Sequence, residues 1–242
     1  MLELLSDKLD CLCAFIVNED NKRSWEQWEQ SKEVTARAAS LRDTARDTAA
    51  QAAGLAEKLR ALRACAGITD RNLYLSMLSG TIDEECRYIR AVPNAKVIFI
   101  GAGAFPVSAL SMAAKTSAEI VCTDIDGEAV SYGRQVMLRL LETRLQERLY
   151  YETSHLHDRP FLKKATHICI VSLVPDKLAI LKELASEISP DCQIFVRYGN
   201  GIKSLFNYPL DIGVLKEWRV SPIYNDRSIC DTLLLQPEAA RV

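Results

Sequence analysis

Apolar positions divide this chain into two regimes. Up to about residue 92 they recur at steps of three and four, the spacing of one face of a helix. From Lys96 onward, short continuous apolar runs alternate with helical stretches. The first regime predicts helices over 2–17 and 33–66 and a third ending near Ala91, separated by the polar stretch 18–31 with Trp25 and Trp28. Thr69 or Asp70 can cap the third helix, Gly67 can close the second, and Pro93 and Asn94 break the chain before the first strand. Within the second helix Val34, Ala38, Leu41, Ala45, Thr48, Ala52, Leu55, Leu59, Leu62 and Ala66 follow an unbroken heptad series. Its alanines suit a close partner. An antiparallel helix of the same chain is the simpler partner, and a homodimer is the alternative.

The second regime predicts strands over 97–100, 120–123, 149–152, 167–171 and 193–197, with helices over 107–115, 128–147 and 177–187 between them. Strands over 218–223 and 232–236 complete the sheet. Five parallel strands plus a terminal hairpin make an α/β protein with a Rossmann-like, class I methyltransferase fold, its mostly parallel sheet covered by helices on both faces. The division expected is an N-terminal helical domain over 1–92 and a Rossmann-like domain over 93–242.

Ligands in such sheets bind beyond the carboxyl ends of the strands. Gly101 and Gly103 follow the first strand at once, where missing Cβ atoms permit a sharp turn and close backbone approach. Pro106 stands where a dinucleotide fingerprint wants a third small residue, and it removes an N–H that a pyrophosphate would use. The ligand expected therefore lacks a pyrophosphate, and S-adenosyl-L-methionine fits. Asp124 closes the second strand, placed for both ribose hydroxyls, and Ile125 and Asp126 follow it. Ala102, Phe105, Ser154, His155, Leu173 and Val174 complete the expected donor site.

Composition excludes more than it selects. The formal net charge is −2, and no basic stripe or aromatic ladder calls for nucleic acid. No apolar run approaches a membrane span. Residues 2–17 intersperse Glu3, Asp7 and Asp10 among apolar positions and read as an amphipathic helix, so a soluble cytoplasmic protein is expected. The eight cysteines contain no CxxC, and Cys122 and Cys169 fall in strands, where free cysteine acts as a small hydrophobe. His155-x-His157 supplies too few ligands for a metal, so no metal is expected.

The residues also carry a family resemblance, strongest after Thr69. IFIGAGAFPVSAL resembles the strand and G-S-G-P-L-P turn of nicotianamine synthases and their small bacterial relatives that make opine-type metallophores such as staphylopine and pseudopaline. TDID is similar to that family's acidic strand end, and ICIVSLV to its fourth strand and following loop. FVRYGNGIKSLFNYPL resembles R-S-A-H-G-x-R-x-F-L-Y-P, matching Arg197, Gly201, Tyr208 and Pro209. LSGTIDEECRYIRAVP resembles L-S-K-L-E-Y-E-L-L-A-R-Y-V-P and sets Glu84 on the family's active-site glutamate. Ala102 and Ala104–Phe105 replace serine and proline–leucine, and Asn200 replaces a histidine.

The resemblance implies transfer of a 3-amino-3-carboxypropyl (aminobutanoyl) group from S-adenosylmethionine to the α-amino group of histidine, releasing 5′-methylthioadenosine. A separate opine-type dehydrogenase would consume the product. Glu84 would be the base. Arg197 suits a carboxylate clamp or a structural ion pair. Tyr74 and Tyr208 suit hydrogen bonds to substrate or simple packing, and Asn200 and Gly201 flank the acceptor side. A small-molecule N-methyltransferase and a non-catalytic helical module with a vestigial pocket are the alternatives.

Overall fold

A computed structural model describes residues 2–29, 31–68, 73–152, 161–224 and 228–238, without the side chains of 32–38 and 73–80. Four helices come first: α1 (Leu2–Val17), α2 (Glu19–Glu29), α3 (Lys32–Cys65) and α4 (Leu73–Arg90). The α/β part follows as β1 (Lys96–Ile100), α5 (Val107–Lys115), β2 (Glu119–Thr123), α6 (Gly127–Leu140), α7 (Thr143–Gln146) and β3 (Leu149–Glu152). It ends with β4 (His167–Ile170), α8 (Lys177–Glu187), β5 (Gln193–Tyr198), β6 (Trp218–Ile223) and β7 (Asp231–Pro237). The described strands form one sheet in the order β3-β2-β1-β4-β5-β7-β6. β1 to β5 are parallel, and β7 runs antiparallel between β5 and β6. This is the Rossmann-like order expected, with its reversal between β1 and β4.

The central strands β1, β2, β4 and β5 are covered on both faces and so are mostly apolar. Val97, Phe99, Ile120, Cys122, Cys169 and Phe195 face one layer. Ile98, Ile100, Ile168, Ile170, Ile194 and Val196 face the other, against Leu181 and Leu184 of α8. The N-terminal helices belong to the first layer: Leu9, Cys13, Ala53, Ala56, Ile82 and Ile89 share its core with β1 and β5. Burial raises the thiols of Cys122 and Cys169 above their usual range, so both act as apolar filling.

Three sequence expectations change. The polar stretch 18–31 is largely helical, because the Asn18 side chain accepts from the N–H groups of Asp20 and Asn21 at 3.0 Å and caps α2. The helix expected over 128–147 stops at Leu140, where Leu141 turns extended, and resumes as α7. Much of the heptad seam of α3 faces outward: Leu41 is 73% exposed, Leu55 43% and Leu62 48%, while Ala52 and Leu59 pack partly against the core. Ala49, Ala53, Ala56 and Ala64 are buried instead, since small side chains let α3 lie close against α1 and α6. Among the described residues no helix is long and apolar enough to cross a membrane, and no group of three His, Cys, Asp or Glu could hold a metal.

Candidate active site

The carboxyl ends of β1, β2, β4 and β5 open into a cleft of about 620 Å³, roofed by Ala50, Gly54, Glu57, Lys58 and Arg60 of α3. Its floor starts at the turn after β1. Gly101 and Gly103 both have positive φ, 81° and 74°. At Gly101 a Cβ would overlap the Val174 side chain, and at Gly103 it would overlap the Glu57 carboxyl. Glycine is thus favoured at both positions by conformation, and at Gly101 also by space. Thr123 O ties the turn to β2 by accepting from Gly101 N and Ala102 N at 2.9 and 3.0 Å.

Asp124 organises the next segment. Its Oδ2 accepts from Gly103 N at 2.8 Å and its Oδ1 from Asp126 N at 3.0 Å. Asp126 caps α6 by accepting from Glu128 N at 2.9 Å. Lys58 of α3 reaches down to Asp126 at 2.8 Å and to Glu128 at 2.5 Å, and its hydrogen bond holds the Asp126 carboxyl below the usual range. Ile125 is 99% exposed at the cleft rim. Opposite, Ser172, Leu173 and Val174 follow β4. Lys177 fixes this loop by donating to the carbonyls of Ser172 and Val174 at 3.0 and 2.6 Å.

Glu57 is the acid that sequence reading missed. Burial, and then the charge of Asp124, push its carboxyl up to about 8, against lowering by Arg60 and by the nearby backbone N–H groups of Ala104 and Phe105. A carboxyl so placed changes charge near neutral pH. Its signal in the sequence is faint: an acid on the Ala53–Gly54–Ala56 side of a helix, where only small residues otherwise fit.

Arg197 reaches the cleft from β5 and is 2% exposed. Nε and Nη2 donate to Glu85 at 2.8 and 2.6 Å, and Nη1 donates to Ser108 Oγ at 2.8 Å. Three of its five N–H groups are thus engaged by the protein.

Gly101, Ala102, Gly103, Phe105, Pro106, Asp124, Ile125, Asp126, Leu173, Val174 and Arg197 therefore converge on one cleft. Glu84 does not join them. It lies one position from buried Glu85, so the turn of α4 aims it outward, where it pairs with Arg87 at 2.9 Å. Asn200 is exposed, and Gly201 packs near Trp25 rather than lining the cleft. The Tyr208 ring also lies apart from the cleft, with Arg46 at 4.7 Å and Lys177 at 5.6 Å from its centroid. Ser154 and His155 fall outside the described residues, as does the side chain of Tyr74 on α4.

Comparison with known proteins agrees with this architecture. The family of nicotianamine synthase proteins matches residues 73–231. Proteins from two strains of Pseudomonas aeruginosa, both named L-histidine 2-aminobutanoyltransferase, are 33% identical over 239 residues, covering 97% of this chain and 86% of theirs. One of the same name from Yersinia pestis is 31% identical over 183 residues, covering 75% and 67%. Among solved structures, MtNAS in complex with MTA and tNA superposes with a TM-score of 0.74 at 11% identity, over 98% of this chain and 97% of that one. A glutamate-to-glutamine mutant of MtNAS in complex with S-adenosylmethionine gives 0.73 at 10% identity, over 98% and 96%. At such identity the likeness is one of fold.

Proposed function

This chain belongs to the nicotianamine synthase family, and from that premise we propose that it is an aminocarboxypropyl transferase. It moves the 3-amino-3-carboxypropyl group of S-adenosylmethionine to the α-amino group of histidine, in the L form that its relatives' name carries. The observation that carries this reading is the near full-length likeness to L-histidine 2-aminobutanoyltransferases. The cleft adds a chemical fit.

Asp124 accepts from the ribose hydroxyls, and Ile125, Leu173 and Val174 give the adenine an apolar slot. The Gly101–Pro106 turn, with backbone bare at Gly101 and Gly103, lies against the sulfonium side. The remaining N–H groups of Arg197 meet a substrate carboxylate, with Glu85 and Ser108 holding the guanidinium in place. The histidine nitrogen attacks the methylene beside sulfur. A C–N bond forms, the C–S bond breaks, and its electron pair neutralises the sulfonium to the thioether of 5′-methylthioadenosine. The leaving group needs no covalent help, so the protein's part is orientation and removal of the ammonium proton. Glu57 takes that proton. It lies in the cleft with a carboxyl poised near 8, whereas Glu84 faces away.

The product feeds a separate opine-type dehydrogenase, which joins it to a 2-oxo acid to complete a metallophore. The enzyme works in the cytoplasm, where its donor is made. Two copies pair through the outward leucines of α3, supported by the heptad spacing of Leu41, Leu55 and Leu62; light scattering tests this.

Incubation with S-adenosylmethionine and L-histidine, followed by mass spectrometry, tests the reaction. The expected product is histidine bearing one aminocarboxypropyl group. Methylated histidine, or no product with any amino acid, would overturn the assignment.

A further inference from the structure

Lys177 opens α8 and is 2% exposed, a burial rare for lysine. Its Nζ reaches three main-chain oxygens, Ser172 O at 3.0 Å, Val174 O at 2.6 Å and Tyr208 O at 3.4 Å. The three N–H groups of an ammonium match this set. The chain enters α8 through Asp176, whose φ and ψ are both 46°, in the left-handed region that costs a residue bearing a Cβ. Beyond that turn the lysine side chain runs back to oxygens three and five positions earlier. Tyr208 adds a second anchor. Its N–H donates to Ser172 O at 3.1 Å, and its carbonyl accepts from Gly199 N at 3.0 Å. Ser172 O is thus held both by α8 and by the segment that follows β5.

We propose that Lys177 is a positioning residue for the adenosine half of the donor: it fixes the carbonyls of Ser172 and Val174, and so the wall on which the adenine lies. Ser172, Leu173 and Val174 line the cleft, whereas Lys177 stands behind them and does not. The Val174 side chain also fills the space beside Gly101 that a Cβ there would need, so the same bonds close the wall against the glycine turn. Without the amine, Ser172 O keeps Tyr208 N as a donor, but Val174 O loses the shortest of the three bonds. The wall then loosens at its Val174 end. Arg197 and Glu57, assigned above to a carboxylate and to the ammonium proton, make none of these bonds. The effect therefore falls on the nucleoside and spares the acceptor. The motif tyrosine Tyr208 takes part through its main chain, with its ring outside the cleft.

The inference rests on the cleft taking S-adenosylmethionine, and calorimetry separates the two. The wild type should bind both S-adenosylmethionine and 5′-methylthioadenosine, which share the adenosine and differ in the amino-acid arm. Lys177→Met keeps a long unbranched side chain and removes the amine. Both ligands should weaken by the same factor, on the order of tenfold. In turnover, KM for S-adenosylmethionine should rise by that factor, while kcat and KM for L-histidine stay within about twofold of the wild type. Unchanged affinity for both ligands in folded Lys177→Met, or in Lys177→Gln should the methionine variant not fold, overturns the positioning role and leaves the donor site standing. So does a loss confined to S-adenosylmethionine, which would put the effect on its amino-acid arm. A wild type that binds neither ligand overturns the donor site, and this inference with it.

Discussion

Glu85 and Arg197 meet as a two-point ion pair, at 2.8 and 2.6 Å, with both side chains almost wholly withdrawn from solvent. The pair crosses from α4 to the middle of the sheet and sets the guanidinium at the cleft wall. Truncating one member of a buried pair leaves the other charge without compensation, at about 3–5 kcal/mol. Glu85→Ala should therefore lower the denaturant midpoint strongly and abolish turnover. Glu84→Gln, one residue earlier on the exposed side, should leave stability and kcat close to wild type. Equal effects of the two substitutions on folding and rate would contradict this division of α4.

Asp124 is predicted to have two separable effects. It accepts from Gly103 N, and its charge raises the Glu57 carboxyl. Asp124→Asn should weaken S-adenosylmethionine about tenfold or more by calorimetry, as expected for a lost charged acceptor. It should also move the acid limb of kcat/KM toward lower pH, because removing a neighbouring negative charge makes Glu57 easier to ionise. An unmoved limb would show that the two carboxyls do not interact.

Stability should fall in acid through His167. The ring is fully buried, stacks on Phe195 at 5.8 Å, and pairs through Nδ1 with Thr166 Oγ1 at 2.9 Å. Burial depresses it from 6.5 to about 4, so the folded protein holds it neutral where the unfolded chain would bind a proton. The stabilisation is complete above about 6.5 and is lost as pH drops through about 4. Melting temperatures between pH 7 and 4 should decline less steeply in His167→Gln than in the wild type. Parallel declines would assign the acid sensitivity to other groups.

Most of the fold was legible because strand and helix signals agreed. Runs such as Val97–Phe99–Ile100, bounded by Gly101, admit little but a covered strand, and the strand-end Asp124 marked the ligand side. What failed was the choice of face on helices, where one residue means a rotation of roughly 100°. Leu41, Leu55 and Leu62 of the α3 seam point outward, and α1 and α6 instead take the alanines at 49, 53, 56 and 64, because the helix must lie close. The same ambiguity separates Glu84 from Glu85, and only packing decides it. Glu57 was illegible for another reason: its effect depends on the Gly103 turn, 46 positions along the chain, closing beneath it. Tyr208 matched a motif, but its ring belongs with Arg46 and Lys177.

The acceptor nitrogen is predicted to reach the methylene carbon beside sulfur and not the methyl carbon, and a donor labelled in its methyl group reads this directly. With L-histidine present, the label should stay with the released nucleoside as 5′-methylthioadenosine, and none should enter the histidine product. Label on histidine, with unlabelled S-adenosylhomocysteine released, would contradict the account.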